Sequence, residues 1–241
     1  MLGRMRIRFP LPLVALLWAL LCVGCTSVPP RPQPANTVVL ISIDGLRSDA
    51  IGSGRMPTLD GLARQGVQAE WMTPSYPTLT FPNHYTLVTG LRPDRHGIVQ
   101  NTMRDPLLGK FALKNREAVA DPRWWGGEPI WVTLQKQGGN AATMFWPGSE
   151  APIAGQQPRY WHKFDDKVTA DQRVDQVLAW LDLPAAQRPR FITLYFDQVD
   201  HAGHDAGPHS PGALAAMREV DTALQRLLAG LDARQLREDT T

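Results

Sequence analysis

Apolar residues follow two rhythms along this chain, and the rhythms alternate. Thr37–Ile43 carries five Val, Ile or Leu in seven residues and reads as a strand buried on both faces. Ala141–Trp146 and Phe191–Phe196 repeat that pattern, and Val67–Thr73 gives a further expected strand. Between them runs helical spacing: Met56–Gln65, a short helix opening at Pro82 and stopping at Gly90, Glu128–Gln137 ending at Gly138-Gly139, and Thr169–Leu181. The last helix, Pro211–Leu231, puts Leu214, Met217, Val220, Leu224, Leu227 and Leu228 on one face. Strands alternating with helices predict an α/β fold, a largely parallel sheet with helices on both faces. Met103–Trp125 has neither rhythm and reads as an excursion over the rim of a site, with Trp124 and Trp125 expected to pack there, lining a substrate pocket being the alternative.

The first 36 residues are of another kind. Arg4, Arg6 and Arg8 precede the apolar run Leu11–Leu21, which is too short to span a membrane and fits a signal peptide over 1–24. Leu21-Cys22-Val23-Gly24-Cys25 resembles a bacterial lipoprotein signal, with Cys25 as the residue that would carry a lipid anchor; Cys22 departs from that pattern, and ordinary cleavage nearby is the alternative. Either way the chain is expected to be exported, to the periplasm or to the membrane facing it. Residues 25–36, with Pro29, Pro30, Pro32 and Pro34, read as an extended tether. Both cysteines belong to the leader or its edge, so no internal disulfide is expected. Net charge falls from +2 to about −1 once the three arginines leave, which excludes an electrostatic footprint for long nucleic acid. About 215 residues remain, enough for one core-forming domain.

Three places carry candidate chemistry. Asp44, followed by Gly45, ends the first strand, where α/β sheets collect ligands; capping the next turn is the alternative role. Thr80 precedes a helix start, where free N–H groups favour an anion, unless the threonine simply caps that helix. Asp197-Gln198-Val199-Asp200-His201-Ala202-Gly203-His204 follows the strand ending at Phe196. Asp200 and His204 stand four apart, so a helical turn or compact loop could aim carboxylate and imidazole at one cation; a solvated loop is the alternative. A threonine hydroxyl is a weak nucleophile without a base or a metal. No histidine near Thr80 in sequence is placed as a base, so a metal is the economical activator.

The strand ending in Ile-Asp-Gly, the segment Thr80-Phe81-Pro82-Asn83-His84-Tyr85, the run His96-Gly97-Ile98-Val99-Gln100-Asn101 and Asp200-x-x-x-His204 together resemble the nucleotide pyrophosphatase/phosphodiesterase family of the alkaline phosphatase superfamily. The resemblance implies two zinc ions on one edge of the sheet. Asp44 and Thr80 would hold one, with Thr80 the nucleophile; Asp200 and His204 would hold the other, and Asn101 would donate to a phosphoryl oxygen. It implies a nucleotide or other phosphodiester as substrate, with Phe81 stacking on the base and a second aromatic opposite, Phe164 first and Tyr160 second. His84 and His96 fall outside its ligand positions and are taken as structural. Family members carry a further Asp-His pair and a later histidine, neither of which occurs here. The resemblance therefore implies that 37–241 is the N-terminal portion of a catalytic domain. A phosphomonoesterase or phospholipid-cleaving relative, or a fragment without a complete metal site, are the alternatives.

Overall fold

The computed structural model of the protein describes residues 36–241, so the expected leader and all but the end of the tether lie outside the described residues. In chain order the strands are β1 (Val38–Ile43), β2 (Thr102–Asp105), β3 (Gly109–Ala112), β4 (Ala141–Met144), β5 (Tyr160–Trp161) and β6 (Phe191–Phe196). The helices are α1 (Pro57–Gln65), α2 (Thr80–Thr89), α3 (Pro93–His96), α4 (Arg116–Ala120), α5 (Ile130–Lys136), α6 (Ala170–Leu181), α7 (Gln198–Ala206) and α8 (Pro211–Ala233). Strands β1, β6, β4 and β5 lie side by side in that order, all parallel. Parallel pairing brings the ends of β1 and β6 to one edge, with Ile43 opposite Phe196, and there the chain delivers Asp44 and Asp197.

Period-two alternation along β6 divides the core. Ile192, Leu194 and Phe196 join the aliphatic cluster of α6 and α8, with Val174, Val177, Leu181, Val220 and Leu224. Phe191 and Tyr195 belong to an aromatic cluster with Tyr85, Phe111, Trp125, Trp131 and Trp146. Helix α6 starts on a capping box, Thr169 and Gln172 bonding each other's backbone. At α8, Ser210 caps ahead of Pro211.

Three expectations need correction. β1 is an edge strand, half exposed rather than buried on both faces, because only β6 pairs with its whole length. On its outer side Thr241 bonds Thr37 and Val39, so only the start of that edge is covered. Val67–Thr73 forms no strand: none of its residues pairs with another strand, and Val67, Trp71 and Met72 lie exposed. Its alternation has no ladder to join. The excursion at 103–125 is not irregular throughout, for β2 and β3 form an antiparallel hairpin whose Phe111 is fully buried, followed by α4. Trp124 and Trp125 are buried and pack, as expected.

Candidate active site

Thr80 opens α2 instead of preceding it. The residue at the cap is Leu79, and no side chain caps the helix, so the Thr80 hydroxyl is not consumed as a cap. Proline at position 82 is therefore the third helical residue, where it contributes no N–H. The N–H of Phe81 donates to Asn101 Oδ1 at 3.0 Å, which turns the Asn101 amide toward the first turn. The anion site at this helix start is thinner than a bare N-terminus offers, because Phe81's N–H is taken and Pro82 has none. Asn83 ties the approach to the helix: its Oδ1 accepts from Ser75 N–H at 2.7 Å, while Nδ2 reaches the carbonyls of Ser75, Pro77 and Leu79.

His84 holds that first turn to the sheet. Its Nδ1 lies 2.7 Å from the Thr80 carbonyl, and its Nε2 lies 2.8 Å from Ser42 Oγ. A carbonyl cannot donate, so Nδ1 carries the proton and Nε2 accepts from the serine. Trp146 Nε1 donates to the His84 carbonyl, and the His84 ring stands edge-on to Trp146 and Tyr195. With both nitrogens committed, His84 is a strut between α2 and β1, two residues before Asp44. The structural role expected of it holds, and His96 likewise sits fully buried between Thr86 Oγ1 and the Ile98 N–H.

Asp44 meets Asp200 across the sheet edge. Asp44 Oδ1 accepts from Gly45 N–H at 3.1 Å and Oδ2 from the Tyr195 hydroxyl at 2.8 Å, so the turn-capping role and a fixed carboxylate coexist. A methyl group placed on Gly45 would come within 2.7 Å of the Asp200 Cα, and Gly45 has φ of +72°. Only glycine lets this turn approach α7 so closely. Asp200 lies in the first turn of α7, and its Oδ1 is 3.5 Å from His204 Nε2, one turn on. Both line a cleft of about 190 Å³ with Gly45, Gly203 and Pro208. Burial, with the Asp44 charge second, holds the Asp200 carboxyl above the usual carboxylate range.

The aromatic candidates separate. Phe81 leans on Phe111 and Trp125, both rings 5.9 Å away. Phe164 stands on Phe145 at 5.3 Å and Tyr195 at 6.2 Å, one ring removed from Asp44. Tyr160 lies elsewhere. It pairs with Ala142 in register with Ile192 and Val39, at the opposite end of the sheet from Asp44, and its hydroxyl donates to the Gln187 carbonyl. As the alternative partner for Phe81 it is set aside.

Sequence reasoning gave no role to Ser42, Tyr195 or Arg173, and placed Asp197 in the Asp/His stretch without assigning it one. Arg173, wholly buried, lies 2.7 Å from the equally buried Asp197, in charge contact rather than an aligned hydrogen bond. Its Nη1 donates to the Tyr195 carbonyl, and its guanidinium faces the Phe145 and Phe164 rings. One signal was available: Arg173 falls on the apolar face of α6, beside Val174 and Val177.

The sequence profile for type I phosphodiesterase/nucleotide pyrophosphatase matches residues 38–241. Ectonucleotide pyrophosphatase/phosphodiesterase family member 3 of Mus musculus is 43% identical over 202 residues, 83% of this chain and 23% of that protein. A venom phosphodiesterase of Macrovipera lebetinus is 42% identical over 203 residues, 83% of this chain and 24% of its own length. Among solved structures, murine ectonucleotide pyrophosphatase/phosphodiesterase 5 superposes with a TM-score of 0.79 at 32% identity, covering 85% of this chain and 54% of that one. An inactive threonine-to-alanine variant of the same murine protein, in complex with AMP, gives the same TM-score. The chain thus spans well under half of these two curated relatives and 54% of the solved one. Its sheet is the alkaline-phosphatase-like one that the motifs led us to expect. The match runs through the whole of the described domain, and the chain belongs to the type I phosphodiesterase/nucleotide pyrophosphatase family.

Proposed function

We propose that the protein hydrolyses phosphodiester or pyrophosphate bonds of nucleotides, with Thr80 as nucleophile. The observation that carries this reading is a hydroxyl left uncapped at the start of α2 while Asp44, Asp200 and His204 gather at the same sheet edge. The AMP held by the inactive threonine-to-alanine neighbour supports both a nucleotide substrate and a threonine nucleophile.

Carboxylate and imidazole donors suit zinc. Asp44 with Thr80 would hold one ion, and Asp200 with His204 the second. Each pair gives two protein donors among the described residues, where catalytic zinc usually has three. The donor chemistry fits, and the affinity of either pair alone is expected to be modest. A bound divalent cation would lower the pKa of the Thr80 hydroxyl and offset charge on the phosphoryl oxygens.

The protein's own residues do the rest. The Thr80 oxygen bonds to phosphorus as the bond to the leaving alcohol or phosphate breaks, its proton passing through water to the leaving oxygen. A water oxygen then bonds to phosphorus as the Thr80–phosphorus bond breaks, freeing the nucleoside monophosphate and returning a proton to the Thr80 oxygen. His84 cannot serve as the base, since Thr80's carbonyl and Ser42 occupy its nitrogens. Asn101, anchored through Oδ1 to the Phe81 N–H, would turn its amide N–H toward the phosphoryl group. Phe81 and Phe164 would take the base. The basic n-region and the Cys25 context support export, with a lipid anchor as one outcome.

The test compares two chromogenic esters in zinc-supplemented buffer. A nucleoside 5′-monophosphate p-nitrophenyl ester should turn over faster than p-nitrophenyl phosphate, and Thr80→Ala should abolish both activities. Preference for the aryl phosphate would favour a phosphomonoesterase instead, and undiminished turnover by Thr80→Ala would remove the nucleophile.

A further inference from the structure

The two aromatic rings assigned to the base stand on separate parts of the fold. Phe81 rests on Phe111 of the β2–β3 hairpin and on Trp125. Phe164 rests on Phe145 and Tyr195, beside the parallel sheet. One buried carboxylate joins them. Glu150 is 8% exposed, and its Oε1 accepts both from the Phe164 N–H at 3.1 Å and from Arg116 Nη2. Arg116 Nη1 donates to the Leu113 carbonyl at 3.3 Å, and the Leu113 N–H donates to the Asn101 carbonyl at 3.0 Å. Asn101 in turn accepts from the Phe81 N–H. A single run of hydrogen bonds therefore leads from the backbone of Phe164 to the backbone of Phe81. Gln157 Nε2 fixes the middle of it by donating to the Glu150 carbonyl at 2.8 Å.

A partly buried ion pair of this kind adds little net stability compared with an apolar pair of similar volume. Neither charge belongs to the phosphate or metal end of the site. What the pair does geometrically is hold the loop of Phe164 to the start of α4, just after the hairpin. A planar base between two rings needs about 7 Å of separation, twice the ordinary carbon–carbon contact. Drift of either wall loses one of the two stacking faces.

We propose that Glu150 and Arg116 are positioning residues for substrate selectivity. Their ion pair sets the spacing of Phe164 from Phe81, so that the cleft prefers phosphate esters carrying a nucleobase over those that carry none. The inference rests on the nucleotide reading above and adds the residues that enforce it.

Isothermal titration of the zinc-supplemented protein with AMP and, separately, with ribose 5-phosphate tests it. The wild-type protein should bind AMP more tightly. Glu150→Ala should weaken AMP binding about tenfold, the order of one lost base–aromatic stack, and leave ribose 5-phosphate unchanged. Glu150→Gln, which keeps an acceptor for the Phe164 N–H, should retain part of the preference. Arg116→Met removes only the cation, from a partly exposed position, and should reproduce the selective loss even if Glu150→Ala fails to fold. Equal weakening of both ligands, or unchanged AMP affinity in a folded variant, would overturn the proposal. A wild-type protein with no preference for AMP would overturn the base-binding reading itself, a result distinct from a preference that survives the substitutions.

Discussion

Asp197 is the charge this chain can least afford to strand. It lies 4% exposed at the head of α7, three residues before Asp200, with Arg173 against one oxygen and His201 Nδ1 3.5 Å from the other. Removing one partner of a buried pair leaves an uncompensated ion, whereas removing both is far milder. Arg173→Met should therefore cost about 3 kcal/mol or more in urea unfolding. Adding Asp197→Asn should recover much of that loss; a double variant as unstable as the single one would deny the coupling. Asp200 behaves in the opposite sense. Burial and the neighbouring Asp44 charge disfavour its ionised form, so Asp200→Asn should raise the melting temperature of the metal-free protein at neutral pH while weakening zinc binding. Thr80, Asp44, Asp200 and His204 could be singled out as candidates from the sequence because each stands in or beside a short local pattern at or near a strand or helix end. Tyr195 was not, since its bond to Asp44 spans 151 positions and no spacing rule reaches so far.

At the scale of elements, two turns matter for different reasons. The Gly45 turn lets β1 and α7 present Asp44 and Asp200 together, and its positive φ excludes an ordinary side chain. Gly45→Ala should destabilise the fold and lower zinc affinity, read by thermal melting and metal titration; unchanged zinc binding would show that the close approach is dispensable. The second turn, α3 into Gly97, buries His96, and burial holds that imidazole below its ordinary value of 6.5. The folded state resists a proton that the unfolded chain accepts near 6.5. The resulting stabilisation is complete above that pH and lost as pH falls through the lower folded value. Between pH 7 and pH 5 the melting temperature should fall, and less steeply in His96→Gln; identical slopes would exclude His96 as the source. Long rhythmic elements such as α6, α8 and β6 were readable from periodicity alone. Val67–Thr73 was misread because a strand depends on a partner, which alternation does not supply, and the β2–β3 hairpin was missed because its strands are only four residues each.

Across the whole molecule, an aliphatic cluster and an aromatic cluster grip a parallel sheet, and the proposed chemistry sits at the edge where both layers end. The α/β architecture was legible in the alternation of strands and helices. The strand order was not, because which strand lies outermost is a matter of long-range pairing. That order left β1 half exposed and placed Tyr160 at the far end of the sheet from Asp44. His84 then links the two layers' contributions, fastening α2, which carries the proposed nucleophile, to the strand that leads into Asp44. In the proposed mechanism Thr80 forms the bond to phosphorus. Acid quenching during turnover of a nucleoside 5′-monophosphate p-nitrophenyl ester, followed by peptide mass spectrometry, measures it directly. A nucleotidyl group on Thr80, absent from Thr80→Ala along with turnover, is the predicted result; an adduct on another residue, or turnover that persists without Thr80, would contradict it.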